Sequence, residues 1–239
     1  QASGLGGGAF LLHYDAKSRA VRAYDGRETA PAAATPELFL RDGKPMNFRE
    51  AVTGGRSVGT PGVARLLETA HRKHGRLPWP DLFKPAIELA ENGFPMPDRV
   101  HILLLRDRAI AGEAAARSYF LQADGTPKPA GTLLRNPEFA RTLRAIAAGG
   151  ADAFYQGDIA RAMVAAVRGH AANPGLLSEA DLAAYQVREV DALCGPYRAY
   201  RICGMPPSSS GGIAVLQMLG NDVFIEDLNS TNGTYINGK

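Results

Sequence analysis

The stretch Asp25-Gly26-Arg27-Glu28-Thr29-Ala30-Pro31 holds the residue types best suited to chemistry. Arg27 follows Gly26 at the end of an alternating segment, where a loop can hold a guanidinium for a two-point grip on a carboxylate. On spacing alone an internal ion pair around Glu28 is the favoured reading. The run Gly4-Leu5-Gly6-Gly7-Gly8-Ala9 fits a dinucleotide fingerprint only if alanine replaces its last glycine, and it leads into a strand pattern. That fingerprint works by aiming the amides of a helix N-terminus at a pyrophosphate, so here the run reads as a tight glycine-rich entry to a first strand. His71 and His74 lie one helical turn apart, but Arg72, Lys73 and Arg76 would repel a cation, and no carboxylate or cysteine stands beside them at ligand spacing. They read as a solvated basic helix face, and neither a metal nor a cofactor is expected. Cys194 and Cys203, the only cysteines, cannot complete a four-ligand zinc site. They flank a Gly-Pro turn signal, which fits either a disulfide across a hairpin or two small buried thiols on neighbouring strands. Ser208, Ser209 and Ser210 precede a helical run and serve either to hold an anion or to cap the helix, the second being favoured. No Gly-x-Ser-x-Gly elbow occurs, and nothing ties the five histidines to a serine or cysteine nucleophile.

The elements that must position these residues belong to a globular protein of one or two domains: 239 residues, 45% apolar and 21% charged. A net charge of +3, spread along the chain, leaves no footprint for a nucleic-acid partner. No apolar run approaches the roughly 20 residues of a membrane-spanning helix. The first residues lack the charged start and apolar centre of a signal peptide and do not begin with Met, so the beginning of the protein is expected to be missing.

Alternation in residues 9–15 and 20–25, around the polar break Lys17-Ser18-Arg19, predicts a hairpin. Thr60 and Pro61 supply an N-cap and a first-turn proline for a helix carrying Val63, Leu66, Leu67 and Ala70 and ending at Gly75. Pro85 opens another helix that stops at Gly93, and residues 100–121 are helical in character. Asn136-Pro137-Glu138 starts a third clear helix ending at Gly149-Gly150, and residues 154–167 continue the helical pattern. Ser178-Glu179-Ala180-Asp181 looks like a capping box with Asp in place of the usual Glu or Gln. Alternation returns over residues 197–203, and a Pro-Ser-Gly turn leads into an apolar helical run from Ile213. Near Gly220 the composition shifts: the remaining residues have no Ala or Arg and alternate around an Asn-Gly turn.

Gly4-Leu5-Gly6-Gly7-Gly8-Ala9-Phe10 and Asp25-Gly26-Arg27-Glu28-Thr29-Ala30-Pro31-Ala32-Ala33-Ala34 resemble the first strand and substrate-arginine motif of the γ-glutamyltranspeptidase family. In the family's order follow Ser57-Val58-Gly59-Thr60-Pro61-Gly62, Lys84-Pro85-Ala86-Ile87-Glu88-Leu89-Ala90-Glu91-Asn92-Gly93-Phe94, Phe154-Tyr155-Gln156-Gly157, Asp181-Leu182-Ala183-Ala184-Tyr185 and Met205-Pro206-Pro207-Ser208-Ser209-Ser210-Gly211-Gly212-Ile213. Residues 1–219 are thereby similar to part of the family's large subunit. The resemblance implies an α/β (α+β) chain: the four-layer αββα fold of N-terminal-nucleophile hydrolases, here incomplete. It implies transfer of a γ-glutamyl group, from glutathione or another γ-glutamyl amide, to an enzyme threonine and then to water or an amine. In such chemistry self-cleavage frees the threonine's α-amine as its base, and amide donors hold the oxyanion. Arg27 would grip the α-carboxylate of the γ-glutamyl group, which favours γ-glutamyl donors over the cephalosporin side chains taken by other relatives on this scaffold. No cofactor is implied, and localisation would be periplasmic, extracellular or on the outer face of the membrane. The family also has a segment before Gln1 and, after Leu219, a small subunit with the threonine, the oxyanion donors and most substrate contacts. No catalytic residue is therefore expected in this chain, a complementary small subunit is the expected partner, and the chain alone is expected to be inactive.

Residues 220–239 resemble the terminal hairpin of a forkhead-associated domain, through Asp227-Leu228-Asn229-Ser230-Thr231-Asn232-Gly233-Thr234-Tyr235-Ile236-Asn237-Gly238. Thr231 and Asn232 match that family's phosphopeptide contacts, while its phosphate-gripping arginine would lie in a part that this chain does not contain. Two rival readings follow, a phosphothreonine-peptide binding module and a non-catalytic γ-glutamyl-binding relative. The long helical patterns before residue 220 do not fit a β-sandwich.

Overall fold

The computed structural model describes residues 4–107 and 109–211. The composition shift at Gly220, the helical run from Ile213, and Thr231, Asn232 and Thr234 lie outside the described residues.

The chain opens with the hairpin β1 (Ala9–Asp15) and β2 (Ala20–Gly26), paired in register from Ala9↔Gly26 to Asp15↔Ala20. Asp15 shapes its turn, accepting from the Lys17 amide and the Ser18 hydroxyl. The two-residue strands β3 (Leu40–Arg41) and β4 (Lys44–Pro45) and the helical turn α1 (Phe48–Val52) lead to α2 (Val63–His74). The N-cap of α2 is Gly62, not Thr60, and no side chain caps it; Gly75 ends it as expected. Next come α3 (Lys84–Asn92), stopped at Gly93 with φ 90°, and β5 (Phe94–Pro95). The helical stretch read over residues 100–121 breaks in two, α4 (Asp98–Arg106) and α5 (Ala114–Phe120), with a 3-10 turn at Ala109–Gly112 between them. After β6 (Leu133–Leu134), α6 (Pro137–Gly149) starts where Asn136 accepts from the Phe139 amide and ends at Gly150.

Residues 154–167 likewise divide, into α7 (Asp152–Tyr155) and α8 (Gly157–Arg168), because the chain turns at Gly157, φ 72°. The capping box forms, Ser178 and Asp181 each bonding the other's backbone at the start of α9 (Glu179–Ala184). Strand β7 (Arg188–Asp191) joins the first hairpin antiparallel to β2, giving the order β1-β2-β7. The alternating run 197–203 is not one strand: β8 (Leu193–Tyr197) and β9 (Tyr200–Gly204) form a hairpin that turns at Arg198, φ 52°. Cys194 and Cys203 face each other across it and are disulfide-bonded.

The architecture is mixed α/β. Helix α2 packs on one face of the sheet, where Tyr24 and Leu66 are 1% exposed. The main core joins α2 to α6, α7, α8 and α9 through Ala64, Ile146, Phe154, Tyr155, Ala160, Leu182 and Tyr185. A smaller cluster of Met96, Leu104 and Leu134 lies under α4. The opposite sheet face carries Leu12, 43% exposed, and Tyr14, 58% exposed.

Candidate functional site

Strand β2 delivers Arg27 one residue past its last hydrogen-bonded position, onto the rim of a recess of about 550 Å³ lined by Gly4, Gly6, Gly7, Gly8, Ala9, Phe10, Arg27 and Glu28. The Arg27 side chain is 62% exposed, and its Nε lies 3.4 Å from Glu28 Oε2. Charge-assisted hydrogen bonds run at about 2.7–2.9 Å, so this neighbouring carboxylate leaves the fork of donors able to take a second anion. The internal pair favoured on spacing thus exists, but loosely. The glycine run ends in β1, as its pattern predicts, and the Gly7 carbonyl accepts from the amides of Gly62 and Val63 at 2.9 and 3.1 Å. One wall of the recess is thereby tied to the first turn of α2.

The backbone beneath Arg27 is held from several sides. Its amide donates to Asp25 Oδ1 at 3.0 Å, and Asp25, 5% exposed, is ion-paired through its other oxygen with Arg188 of β7. Its carbonyl accepts from the Tyr185 hydroxyl at 2.8 Å. Two residues on, Thr29 and Thr60 exchange backbone hydrogen bonds of 3.3 and 2.8 Å. Asp181, besides capping α9, accepts from the Ala32 amide at 2.8 Å. Burial pushes the Asp181 carboxyl up, but the Ser178 side chain and the Ala32 and Ser178 amides more than offset it and hold the group below its ordinary value. Gly62 makes the assembly possible, since a Cβ there would collide with the Gly26 carbonyl and the Tyr185 hydroxyl.

Tyr185 stacks on Tyr155, with ring centroids 5.7 Å apart and planes 4° apart. The Tyr155 hydroxyl donates to the Pro61 carbonyl at 2.8 Å. Burial raises the Tyr155 hydroxyl to about 12, opposed by the Arg65 amide and guanidinium. Burial raises Tyr185 as well, reinforced by Tyr155 and the charges of Asp25 and Glu28. Both hydroxyls therefore keep their protons and act as donors near neutral pH.

Three motifs that stand apart in sequence, at residues 25–31, 57–62 and 181–185, thus meet around one arginine. Sequence reasoning finds Arg27 and misses Tyr185, Asp181 and Gly62 as its supports. Their signal is the motifs themselves, since 158 positions separate Tyr185 from Arg27. His71 and His74 lie on a largely exposed stretch with Arg72 and Lys73, yet each has a defined partner. His71 bonds the Leu77 carbonyl at 2.8 Å, while His74 bonds the Tyr24 hydroxyl at 2.7 Å and stacks on His13. Among the described residues no group of three or more His, Cys, Asp or Glu could hold a metal ion, and no helix is long and apolar enough to cross a membrane. Thr60 is buried, its hydroxyl without a hydrogen-bond partner among the described residues. Ser209 donates its amide to the Pro206 carbonyl at 3.2 Å.

The family model described as Gamma-glutamyltranspeptidase matches residues 1–232, crossing the composition shift near Gly220. The chain is 38% identical over 218 residues to a glutathione hydrolase proenzyme of Bacillus subtilis (strain 168), covering 91% of this chain and 36% of that protein. It is 34% identical over 221 residues to the glutathione hydrolase proenzyme of Escherichia coli (strain K12), covering 92% and 37%. Among solved structures, the γ-glutamyltranspeptidase of Helicobacter pylori superposes with a TM-score of 0.85 at 32% identity, over 91% of this chain and 62% of that one. The chain therefore spans little more than a third of the length of the curated relatives it matches.

Proposed function

This chain belongs to the γ-glutamyltranspeptidase family, and from that we propose that it is the large-subunit portion of an enzyme moving γ-glutamyl groups from glutathione or other γ-glutamyl amides to water or an amine. Arg27 binds the α-carboxylate of the donor. The observation that carries this reading is the placement of Arg27: an exposed side chain on the rim of a recess, above a backbone anchored on both sides. A planar fork held there suits a carboxylate better than a lysine's single charge would. The threonine nucleophile and the oxyanion donors come from a complementary small subunit, so the described residues contribute binding and orientation, with no catalytic group of their own. The disulfide between Cys194 and Cys203 supports an oxidising location, periplasmic or extracellular.

A chromogenic γ-glutamyl anilide tests the proposal, offered first to the chain alone and then to the chain mixed with a small subunit from a relative. Hydrolysis is expected only in the mixture. Arg27→Ala is expected to lower kcat/KM for the anilide at least about 100-fold, the loss of a charge-assisted pair of roughly 3 kcal/mol. Turnover by the chain alone would overturn the assignment of the nucleophile. Binding of glutamate that depends on Arg27, without turnover in the mixture, would favour a non-catalytic γ-glutamyl-binding relative.

The division of the chain at residues 219 and 220, with Thr231 and Asn232 as phosphopeptide contacts, is a separate proposal resting on the sequence of the tail. The family match through residue 232 weighs against it. Retention of the chain on a phosphothreonine peptide, lost on Asn232→Ala, is the result it requires.

A further inference from the structure

We propose that Tyr185 is a positioning residue for Arg27, its hydroxyl fixing the Arg27 carbonyl so that the guanidinium points into the recess. The inference rests on the reading of Arg27 as the carboxylate-binding residue.

An exposed arginine side chain keeps many rotamers open, so its aim depends on the backbone from which it starts. Here the Arg27 backbone is held on both sides, by Asp25 at its amide and by Tyr185 at its carbonyl. Asp25 is a buried residue of β2, paired with β7, and ties the amide side to the sheet. Tyr185 comes from the end of α9 and belongs to the main core, 5% exposed, so it ties the loop to the rigid part of the molecule. Its ring stacks on Tyr155, whose own hydroxyl holds the Pro61 carbonyl. The two tyrosines thus brace the two segments that exchange hydrogen bonds at Thr29 and Thr60, one tyrosine to each. Gly62 leaves the space in which the Tyr185 hydroxyl reaches its acceptor. A phenylalanine would satisfy the core equally well, so the hydroxyl is the part that the apolar packing does not explain. A shift of about 1 Å in a binding group can cost a large factor in rate, which makes such bracing consequential.

The test is a selectivity ratio, measured on the chain assembled with a complementary small subunit. It compares kcat/KM for a γ-glutamyl anilide with kcat/KM for the 4-aminobutyryl anilide, which differs by lacking the α-carboxylate. Both substrates sample the same active molecules, so a lower folded fraction cancels from the ratio. Tyr185→Phe is expected to lower the ratio at least about fivefold, through KM for the γ-glutamyl anilide, with kcat within about twofold of the parent. In an Arg27→Ala background the same substitution is expected to change nothing further. Tyr185→Leu, which keeps an apolar side chain in the core and also removes the donor, is expected to lower the ratio in the same way. An unchanged ratio in Tyr185→Phe, with the ratio collapsed in Arg27→Ala, overturns the positioning role and leaves Arg27 in place. An unchanged ratio in Arg27→Ala itself overturns the underlying reading.

Discussion

Two imidazoles from different elements share a face: His13 of β1 and His74 of α2 stack with centroids 3.6 Å apart and planes 9° apart. His74 also bonds Tyr24, whose ring lies near the Lys73 ammonium, and Lys73 is ion-paired with Glu189 of β7. Partial desolvation, then the neighbouring His13 and Lys73, hold His74 below its ordinary value, against smaller opposing pulls from Glu189 and Asp15. A depressed histidine binds fewer protons folded than unfolded, so stability rises with pH where the unfolded chain is still protonated. The contribution is complete above the ordinary histidine value of 6.5 and is lost as pH falls through it toward the folded value. The urea midpoint is accordingly expected to drop between about pH 7.5 and 5.5, and to drop less in His74→Gln. An equal drop in both proteins would remove His74 as the cause. Arg27 can be read from sequence because its neighbours Gly26 and Glu28 are local. His74 is exposed, as its basic neighbours suggest, but nothing within one turn of helix indicates that a second histidine, some 60 residues upstream by the numbering, will stack on it.

Among the described residues, strand β8 and its partner β9 form a two-stranded sheet of their own, joined across residues 194 and 203 by the disulfide. A lone hairpin is marginally stable in water, so the crosslink is expected to hold this element together. Closing so short a loop contributes at most about 2–3 kcal/mol. Reduction, or Cys203→Ser, is expected to speed amide exchange within β8 and β9 while leaving the protection of β1 and β2 unchanged. Exchange accelerated equally throughout would show instead that the hairpin unfolds together with the core. At this scale the helix ends marked by Gly75, Gly93 and Gly150 and the capping box at Ser178 are legible, because each is decided by local backbone chemistry. The breaks inside residues 100–121 and 154–167 are not: apolar residues keep their helical spacing across them and both halves of each stretch pack into the same cluster, so that only the 3-10 turn at Ala109–Gly112 and the turn at Gly157 mark the bends. The turn at Arg198 rather than at Gly195-Pro196 is set by the register that brings Cys194 opposite Cys203.

At the scale of the molecule, and among the described residues, α2 packs on one face of the β1-β2-β7 sheet, while the other carries Phe10, Leu12, Tyr14 and Val190 beside the buried Ala23. Leu12 and Tyr14 remain 43% and 58% exposed, and β1 is an edge strand among the described residues. Exposed apolar side chains beside an open edge favour association, and each side chain the size of leucine gains about 1.5–3 kcal/mol from full burial. In the proposed function, the small subunit is the occupant of this face. The chain alone is expected to bind an apolar dye and to self-associate at micromolar concentration, and the small subunit to abolish both. Leu12→Lys places a charge on the exposed face, opposite Ala23, without touching α2. It is expected to reduce self-association and to weaken assembly with the small subunit, while the far-ultraviolet circular dichroism of the chain stays as it was. Sedimentation velocity separates the outcomes. A monodisperse monomer that binds no dye would show that the face is self-sufficient. Undiminished assembly of Leu12→Lys would show that the small subunit docks elsewhere, and the case for an enzyme built from two chains would then rest on the activity of the mixture alone.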